Sequence, residues 1–233
     1  MLKQNNNNMD VPSPIDLRDL DEAKLWAEEV NLKRPWRYQI FDFYKDQINK
    51  NQSKRILELG SGPGYLAAYL LEHCDHISYT AYDFSAAMHQ IAGERIEKLE
   101  NESGQKFDIQ YIVGDFKQTQ WLEDFEQQLK SNQQQQTEQK INFDVVIIHQ
   151  ALHELRHKIH AARFHAKVKS LMHQNSFYWV CDHLCREDAM QNNQLYMSEA
   201  EHIDALQQAG WNENGRNISQ PIEINGLCVF QCH

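Results

Sequence analysis

Ile56-Leu57-Glu58-Leu59-Gly60-Ser61-Gly62-Pro63-Gly64-Tyr65 is the stretch from which the rest of the chain is read. A short apolar run, interrupted by one acid, ends in three glycines on alternate positions. From Tyr65 the pattern turns helical, through Leu66, Ala67, Ala68, Tyr69, Leu70 and Leu71. This is a buried strand, a tight turn and a helix N-terminus in succession. Glycines let backbone N–H groups approach a ligand closely, and a helix start carries partial positive charge. The turn therefore suits a nucleotide-like or anionic ligand.

The glycine register narrows the ligand. A dinucleotide fingerprint, G-x-G-x-x-G, places its third glycine five residues after the first. Gly60 and Gly62 fit, but Tyr65 holds that position and the last glycine falls one early, at Gly64. Glu58 stands two residues before the first glycine. Further runs follow in order. Ile77-Ser78-Tyr79-Thr80-Ala81-Tyr82-Asp83 is β-branched and aromatic and ends in an acid nineteen residues after Gly64, with Ser85 as a helix N-cap. Asp108–Val113 leads into Gly114-Asp115-Phe116, and Phe143–His149 is nearly all apolar, as a strand covered on both faces should be.

The E-x-G-x-G-x-G turn and the ordered runs after it resemble the class I S-adenosylmethionine-dependent methyltransferases, from about Lys54 to the C-terminus. The resemblance implies an α/β fold: a Rossmann-like three-layer sandwich with a seven-stranded, mostly parallel sheet of order 3-2-1-4-5-7-6, the last strand antiparallel, and N-terminal cap helices. It implies S-adenosylmethionine as cofactor and S-adenosylhomocysteine as product. Glu58, Gly60, Ser61, Gly62 and Gly64 then form the binding turn. Asp83 accepts from the ribose hydroxyls, with Phe84 and Met88 beside it. Asp115 faces the adenine amino group, Phe116 packs on the ring, and His149 closes the site from the fourth strand. Arg37 and Tyr38 lie off the apolar stripe of their helix and reach for the methionine carboxylate.

The expected organisation is a flexible tail over 1–15, a helical cap over 16–52 and the methyltransferase domain over 53–233, with a glutamine-rich insertion at 131–140. In the cap, helices are expected over Asp21–Asn31 and Trp36–Asn49, the second burying Trp36, Ile40, Phe41 and Tyr44. Beyond the fourth strand, a helix should run from Gln150 to about Met172, and a strand from Ser176 to Cys181. A capping-box helix should open at Ser198 and Glu201 and end at Gly210. A sixth strand falls within Trp211–Ile224, and Asn225-Gly226 turns a hairpin into the strand Leu227–Cys232.

Composition excludes several classes. A net charge of −10 disfavours a nucleic-acid backbone as partner. No apolar run approaches a membrane span, and the polar N-terminus lacks the apolar core of a signal peptide. Five cysteines, an odd number and mostly in strand-like runs, suit a reduced, cytoplasmic chain. Oligomeric state is not legible.

His153-Glu154-Leu155-Arg156-His157 satisfies H-E-x-x-H, in which two imidazoles on one helical face hold zinc and the glutamate acts as base. The extended motif needs glycine at position 160 and histidine at 163, where this chain has His160 and Arg163. Cys181, His183 and Cys185, or Cys228 and Cys232, form no compact four-ligand set, because alternate strand residues face opposite ways. No metal site is assigned. His149, His153, Asp182 and His183 instead sit at the carboxyl ends of the fourth and fifth strands, which edge the ligand crevice of an open α/β sheet. There they are the catalytic candidates, an imidazole taking the acceptor's proton as the methyl arrives. After the fourth strand, His149-Gln150-Ala151-Leu152 replaces the N-P-P-Y-like tetrad of nucleic-acid and protein amide N-methylation, and no Pro-Cys nucleophile appears. The expected function is methyl transfer by in-line displacement to a small-molecule acceptor. The rivals are a non-catalytic S-adenosylmethionine-binding module, a nicotinamide oxidoreductase and a zinc hydrolase.

Overall fold

The computed structural model describes residues 9–132, 142–213 and 216–233. Its centre is β1 (Arg55–Leu59), paired in parallel with β2 (Ser78–Asp83) on one side and β4 (Phe143–His149) on the other. Outside β2 lies β3 (Asp108–Val113), and outside β4 lies β5 (Met172–His183), both parallel. The sheet closes with β6 (Ile222–Ile224) and β7 (Leu227–Cys232). Strand β7 runs antiparallel to both β5 and β6, giving the order β3-β2-β1-β4-β5-β7-β6. Asn225 (φ 49°) and Gly226 (φ 80°) make the two-residue turn that inserts β7 between its neighbours.

Alternation along β1 builds the two faces. Ile56 packs with α2 (Tyr38–Asn51) and α3 (Tyr65–His73), and Leu57 and Leu59 pack with α5 (Trp121–Asn132) and α6 (Ala161–Lys169). Helix α4 (Ala86–Ser103) joins the first layer and α7 (Glu199–Gln208) the second. Helix α1 (Leu20–Lys33) lies on α4 through Ala23, Ala27, Ala87, Met88 and Ile91. The small residues let α1 sit close over the carboxyl edge of the sheet. Asp19 caps α1, Ser85 caps α4, and Ser198 with Glu201 forms the capping box of α7.

Two sequence expectations, the helix after β4 and the start of the fifth strand, are corrected. The helix expected from Gln150 to Met172 is broken into two 3-10 turns, Leu152–Leu155 and Lys158–His160, followed by the short α6. Arg156 is left-handed (φ 65°) and His157 is extended and caps the second turn, so the H-E-x-x-H spacing does not lie on one helical face. Met172 is therefore the first residue of β5 rather than the end of a helix. The sixth strand, Ile222–Ile224, falls within the expected Trp211–Ile224. Of the glutamine-rich insertion, residues 133–140 lie outside the described residues, and 131–132 complete α5. Met9–Ile15, part of the expected tail, run along the molecule: the Arg156 guanidinium donates to the Val11 and Pro12 carbonyls, at 2.7 and 2.6 Å.

Candidate active site

A cavity of about 410 Å³ opens at the carboxyl ends of β1, β2, β4 and β5, within the size range of small-molecule sites. Its floor is the glycine turn. Gly60 and Ser61 N–H groups both donate to the Tyr82 carbonyl, at 2.8 and 3.1 Å, and Gly62 N–H donates to Asp83 Oδ2 at 2.8 Å. Asp83 Oδ1 accepts from Ser85 N–H at 2.9 Å, so one carboxylate ties the turn to the start of α4. Gly60, Gly62 and Gly64 all have positive φ (73°, 52° and 75°). At Gly60 a Cβ would stand 2.4 Å from the Ala151 Cβ, whereas at Gly62 it would meet nothing within 4 Å. Gly60 thus permits close packing, and Gly62 leaves open space beside the cavity.

Two buried acids lie on this floor. Burial pushes the Glu58 carboxyl up to about 8 despite the Tyr79 hydroxyl donating to it at 2.7 Å. Burial also pushes Asp83 up, to about 6, against the backbone N–H groups that favour its ionised form. The roof comes from α1 and the segment joining it to α2. Arg34 caps a 3-10 turn, Pro35–Arg37, that ends at Arg37, and both arginines line the cavity. Arg37 donates to Asn31 Oδ1 at 2.9 Å and lies 4.5 Å from the Tyr65 ring centre, while its Nε has no partner among the described residues. Burial lowers both guanidinium pKa values, and both groups remain cations.

The histidines occupy the far wall. Asp182 sits beneath it, 2 % exposed, accepting from His153 Nδ1 and from the His153 backbone N–H, both at 2.8 Å. Burial opposes the His153 imidazolium, but the adjacent carboxylate outweighs it and raises the pKa; burial opposes ionisation of Asp182, yet His153 holds it well below the carboxylate range. A carboxylate only accepts, so with Asp182 bonded at Nδ1 and Glu154 Oε1 3.6 Å from Nε2, beyond hydrogen-bond distance, the neutral imidazole carries its proton on Nδ1 and its lone pair on Nε2. His183, drawn down to about 4 mainly by burial, places Nε2 3.1 Å from Gln150 Nε2. His149, drawn to about 3 by burial, has Nδ1 3.3 Å from the Tyr44 hydroxyl and an unpartnered Nε2.

Of the residues expected from sequence, Glu58, Gly60, Ser61, Gly62, Asp83, Phe84, Met88, Phe116, Arg37, His149, His153 and His183 line this one cavity. Four do not. Gly64 caps α3 behind the turn, and Asp182 acts from beneath His153. Tyr38 packs on the Phe41 and Tyr69 rings with its hydroxyl 3.3 Å from Asn31 Oδ1. Asp115 turns away to accept from Lys117 N–H at 3.0 Å. Sequence reasoning missed Arg34, Gln150, Arg156, Tyr196 and the segment Ser13–Leu17, all on the cavity wall except Asp16. Gln150 follows β4 with φ 55°, an unusual value for a residue with a side chain and one that nothing local in the sequence announces. Among the described residues, no group of three histidine, cysteine or acidic side chains is arranged to hold a metal, and no helix is long and apolar enough to cross a membrane.

Comparison with known proteins agrees with this geometry. The family described as "Methyltransferase domain" matches residues 57–177, just over half the chain. A curated relative, the malonyl-[acyl-carrier protein] O-methyltransferase of Bacillus cereus, is 23 % identical over 194 residues, covering 76 % of this chain and 68 % of the relative. Among solved structures, DhpI in complex with SAH superposes with a TM-score of 0.58 at 18 % identity, over 92 % of this chain and 94 % of that one. The mitomycin 7-O-methyltransferase MmcR gives 0.55 at 16 % identity over 78 % of this chain, which spans only about half (49 %) of MmcR. These likenesses establish the fold, and the family match establishes the lineage: the chain belongs to the methyltransferase-domain family.

Proposed function

We propose that this protein binds S-adenosylmethionine in the cavity and transfers its methyl group to an oxygen of a small-molecule acceptor, with His153 as general base. The observation that carries the reading is one cavity with two kinds of wall: a glycine turn with a paired acid at one end, and a carboxylate-backed imidazole at the other. The names of the relatives, O-methyltransferases in two of three cases, support oxygen as acceptor atom.

The residues present fit the cofactor. Gly62 leaves space where a side chain would stand, and Asp83, with Gly62 and Ser85 N–H groups already on its oxygens, keeps acceptor capacity for two hydroxyls. The unpartnered Nε of buried Arg37 suits a carboxylate, and Glu58 suits an ammonium group. Phe84, Met88 and Phe116 offer apolar surface for an adenine ring. When bound, the cofactor supplies an activated methyl group on a positive sulfur, which leaves as a neutral thioether. The chain aligns the reactants and excludes water, effects worth up to about 7–11 kcal/mol in favourable cases. His153 Nε2 accepts the acceptor's hydroxyl proton, and Asp182 stabilises the imidazolium that forms. Asp182 is thus a positioning residue, while His149 and His183, neutral at pH 7, are pocket walls and hydrogen-bond partners. Five free cysteines accord with a reducing, cytoplasmic setting.

Calorimetric titration with S-adenosylmethionine, S-adenosylhomocysteine and NAD tests the binding. The expected result is micromolar binding of the first two and none of NAD. Release of S-adenosylhomocysteine across a metabolite panel tests transfer. Binding without release from any acceptor leaves a cofactor-binding module and removes the enzymatic reading.

A further inference from the structure

Arg34 is the charged group the cavity leaves unmatched. Among the described residues, every other charged side chain on the wall has a partner: Glu58 has Tyr79, Asp83 has two backbone N–H groups, Glu154 has Arg156, Arg37 has Asn31 and His153 has Asp182. The half-buried Arg34 guanidinium has neither a hydrogen bond nor an ion pair among them. Arg34 stands at the C-cap of α1 and shares the cavity lining with Tyr196, His153 and His183; burial lowers its pKa, while the charges of Tyr196 and Asp182 raise it. Arg37, by contrast, lies against the Tyr65 ring at the start of α3, beside the glycine turn. The two arginines, three residues apart on one 3-10 turn, both line the cavity, and of the two only Arg37 has a side-chain hydrogen-bond partner among the described residues.

We propose that Arg34 anchors a carboxylate of the acceptor, so that the acceptor is a hydroxylated carboxylic acid whose hydroxyl meets His153. This rests on the methyl-transfer reading above and specifies the substrate class. A planar guanidinium presents paired N–H donors that match a carboxylate in a fork. One unmatched positive charge suits a monoanion, whereas a phosphate dianion would leave excess negative charge beside Asp182 and Glu154. With a whole-chain charge of −10, an acid has no long-range attraction to this protein, so selection has to come from a local cation.

The test pairs acids with uncharged isosteres. The wild-type chain and Arg34→Gln are assayed for S-adenosylhomocysteine release on a panel of hydroxybenzoic, hydroxycinnamic and 3-hydroxyalkanoic acids, each beside its primary amide. The expected result is turnover of at least one acid, with kcat/KM about 10- to 100-fold above its amide, the range for a hydrogen bond to a charged group. In Arg34→Gln the preference disappears through KM, the amide is unaffected, and S-adenosylhomocysteine affinity by calorimetry stays within about 3-fold of wild type. Arg34→Lys restores part of the preference. Equal turnover of acids and amides, no turnover of any acid, or an unchanged preference in Arg34→Gln overturns the anchor. Loss of S-adenosylhomocysteine affinity in Arg34→Gln also overturns it, making Arg34 a cofactor ligand. Failure of the wild-type chain to bind S-adenosylmethionine or S-adenosylhomocysteine overturns the methyl-transfer reading and this anchor with it.

Discussion

Asp182 holds His153 twice, its Oδ1 2.8 Å from the imidazole Nδ1 and its Oδ2 accepting the backbone N–H of the same residue, also at 2.8 Å. A buried carboxylate on β5 thereby fixes both the position and the tautomer of an imidazole in the turn after β4. Because the His153 pKa is raised above 6.5, the base form grows as pH rises through that raised value. The kcat/KM profile should climb with pH, with an apparent pKa above 6.5. Asp182→Asn removes the charge and offers an amide N–H toward Nδ1, favouring the tautomer whose Nε2 has no lone pair. It should lower kcat/KM by about 100-fold or more and shift any remaining limb to lower pH. A flat profile in the wild-type enzyme would exclude His153 as base.

Glu58 gives a prediction about the free protein. Its folded pKa of about 8 lies above the ordinary 4.5, so its ionisation opposes folding, and its contribution is lost as pH rises between those values. Glu58→Gln keeps an acceptor for the Tyr79 hydroxyl without a charge. The variant should gain thermal stability over wild type progressively from pH 5 to 8, by about 3 kcal/mol or roughly 6–12 °C at the top of that window. It should also bind S-adenosylmethionine about 10-fold more weakly, through loss of the carboxylate that suits an ammonium group. Differential scanning fluorimetry of both proteins across pH, with and without ligand, reads both effects. A stability difference that does not grow with pH would mean Glu58 is already charged in the free protein.

The two glycines separate packing from binding. Gly60→Ala drives a Cβ into the Ala151 Cβ at 2.4 Å in a left-handed backbone, so it should destabilise the fold by about 2–4 kcal/mol. Gly62→Ala meets no atom within 4 Å and should cost only the backbone strain, about 1 kcal/mol, while its methyl group intrudes on ligand space. Urea melts should show the larger loss at Gly60, and calorimetry should show weakened cofactor binding in a still-folded Gly62→Ala. The reverse ranking would contradict the turn geometry.

What the sequence made legible was whatever a local rule governs. Strand runs, the Ser85 and Ser198 caps, the Asn225-Gly226 turn and the glycine register each follow from chemistry within a few residues and mark the elements and one wall of the cavity, whereas the sheet order came from the family resemblance. The break at Arg156 was hidden because its left-handed backbone is held by distant partners, the carbonyls of Val11 and Pro12, rather than by a glycine or proline. Arg34 looked like an ordinary charged residue at a helix end, and only the placement of α1 over α4 brings it to the cavity. Asp115 was carried over from the family pattern, yet the loop after β3 spends its carboxylate on capping Lys117.

The segment 9–17 is tied across the cavity mouth at both ends. Arg156 bonds Val11 and Pro12 at one end, and Ser85 Oγ donates to the Leu17 carbonyl at the other, with Ser13, Pro14, Ile15 and Leu17 on the wall between. Ser85 also caps α4, so replacing it would confuse two effects. Arg156→Gly is the cleaner variant, because glycine accepts φ 65° and only the side chain is lost. Two charged hydrogen bonds to the strap disappear, together with the pairing to Glu154, and the partners are open enough to water that the loss should be about 1–2 kcal/mol. Hydrogen exchange at the Val11 and Asp16 amides, which donate to the Arg156 carbonyl and to Glu22 Oε2, should then quicken, and S-adenosylhomocysteine should dissociate about 5- to 30-fold faster with little change in association rate. Faster exchange with unaltered dissociation would mean that the strap covers the cavity without retaining its occupant.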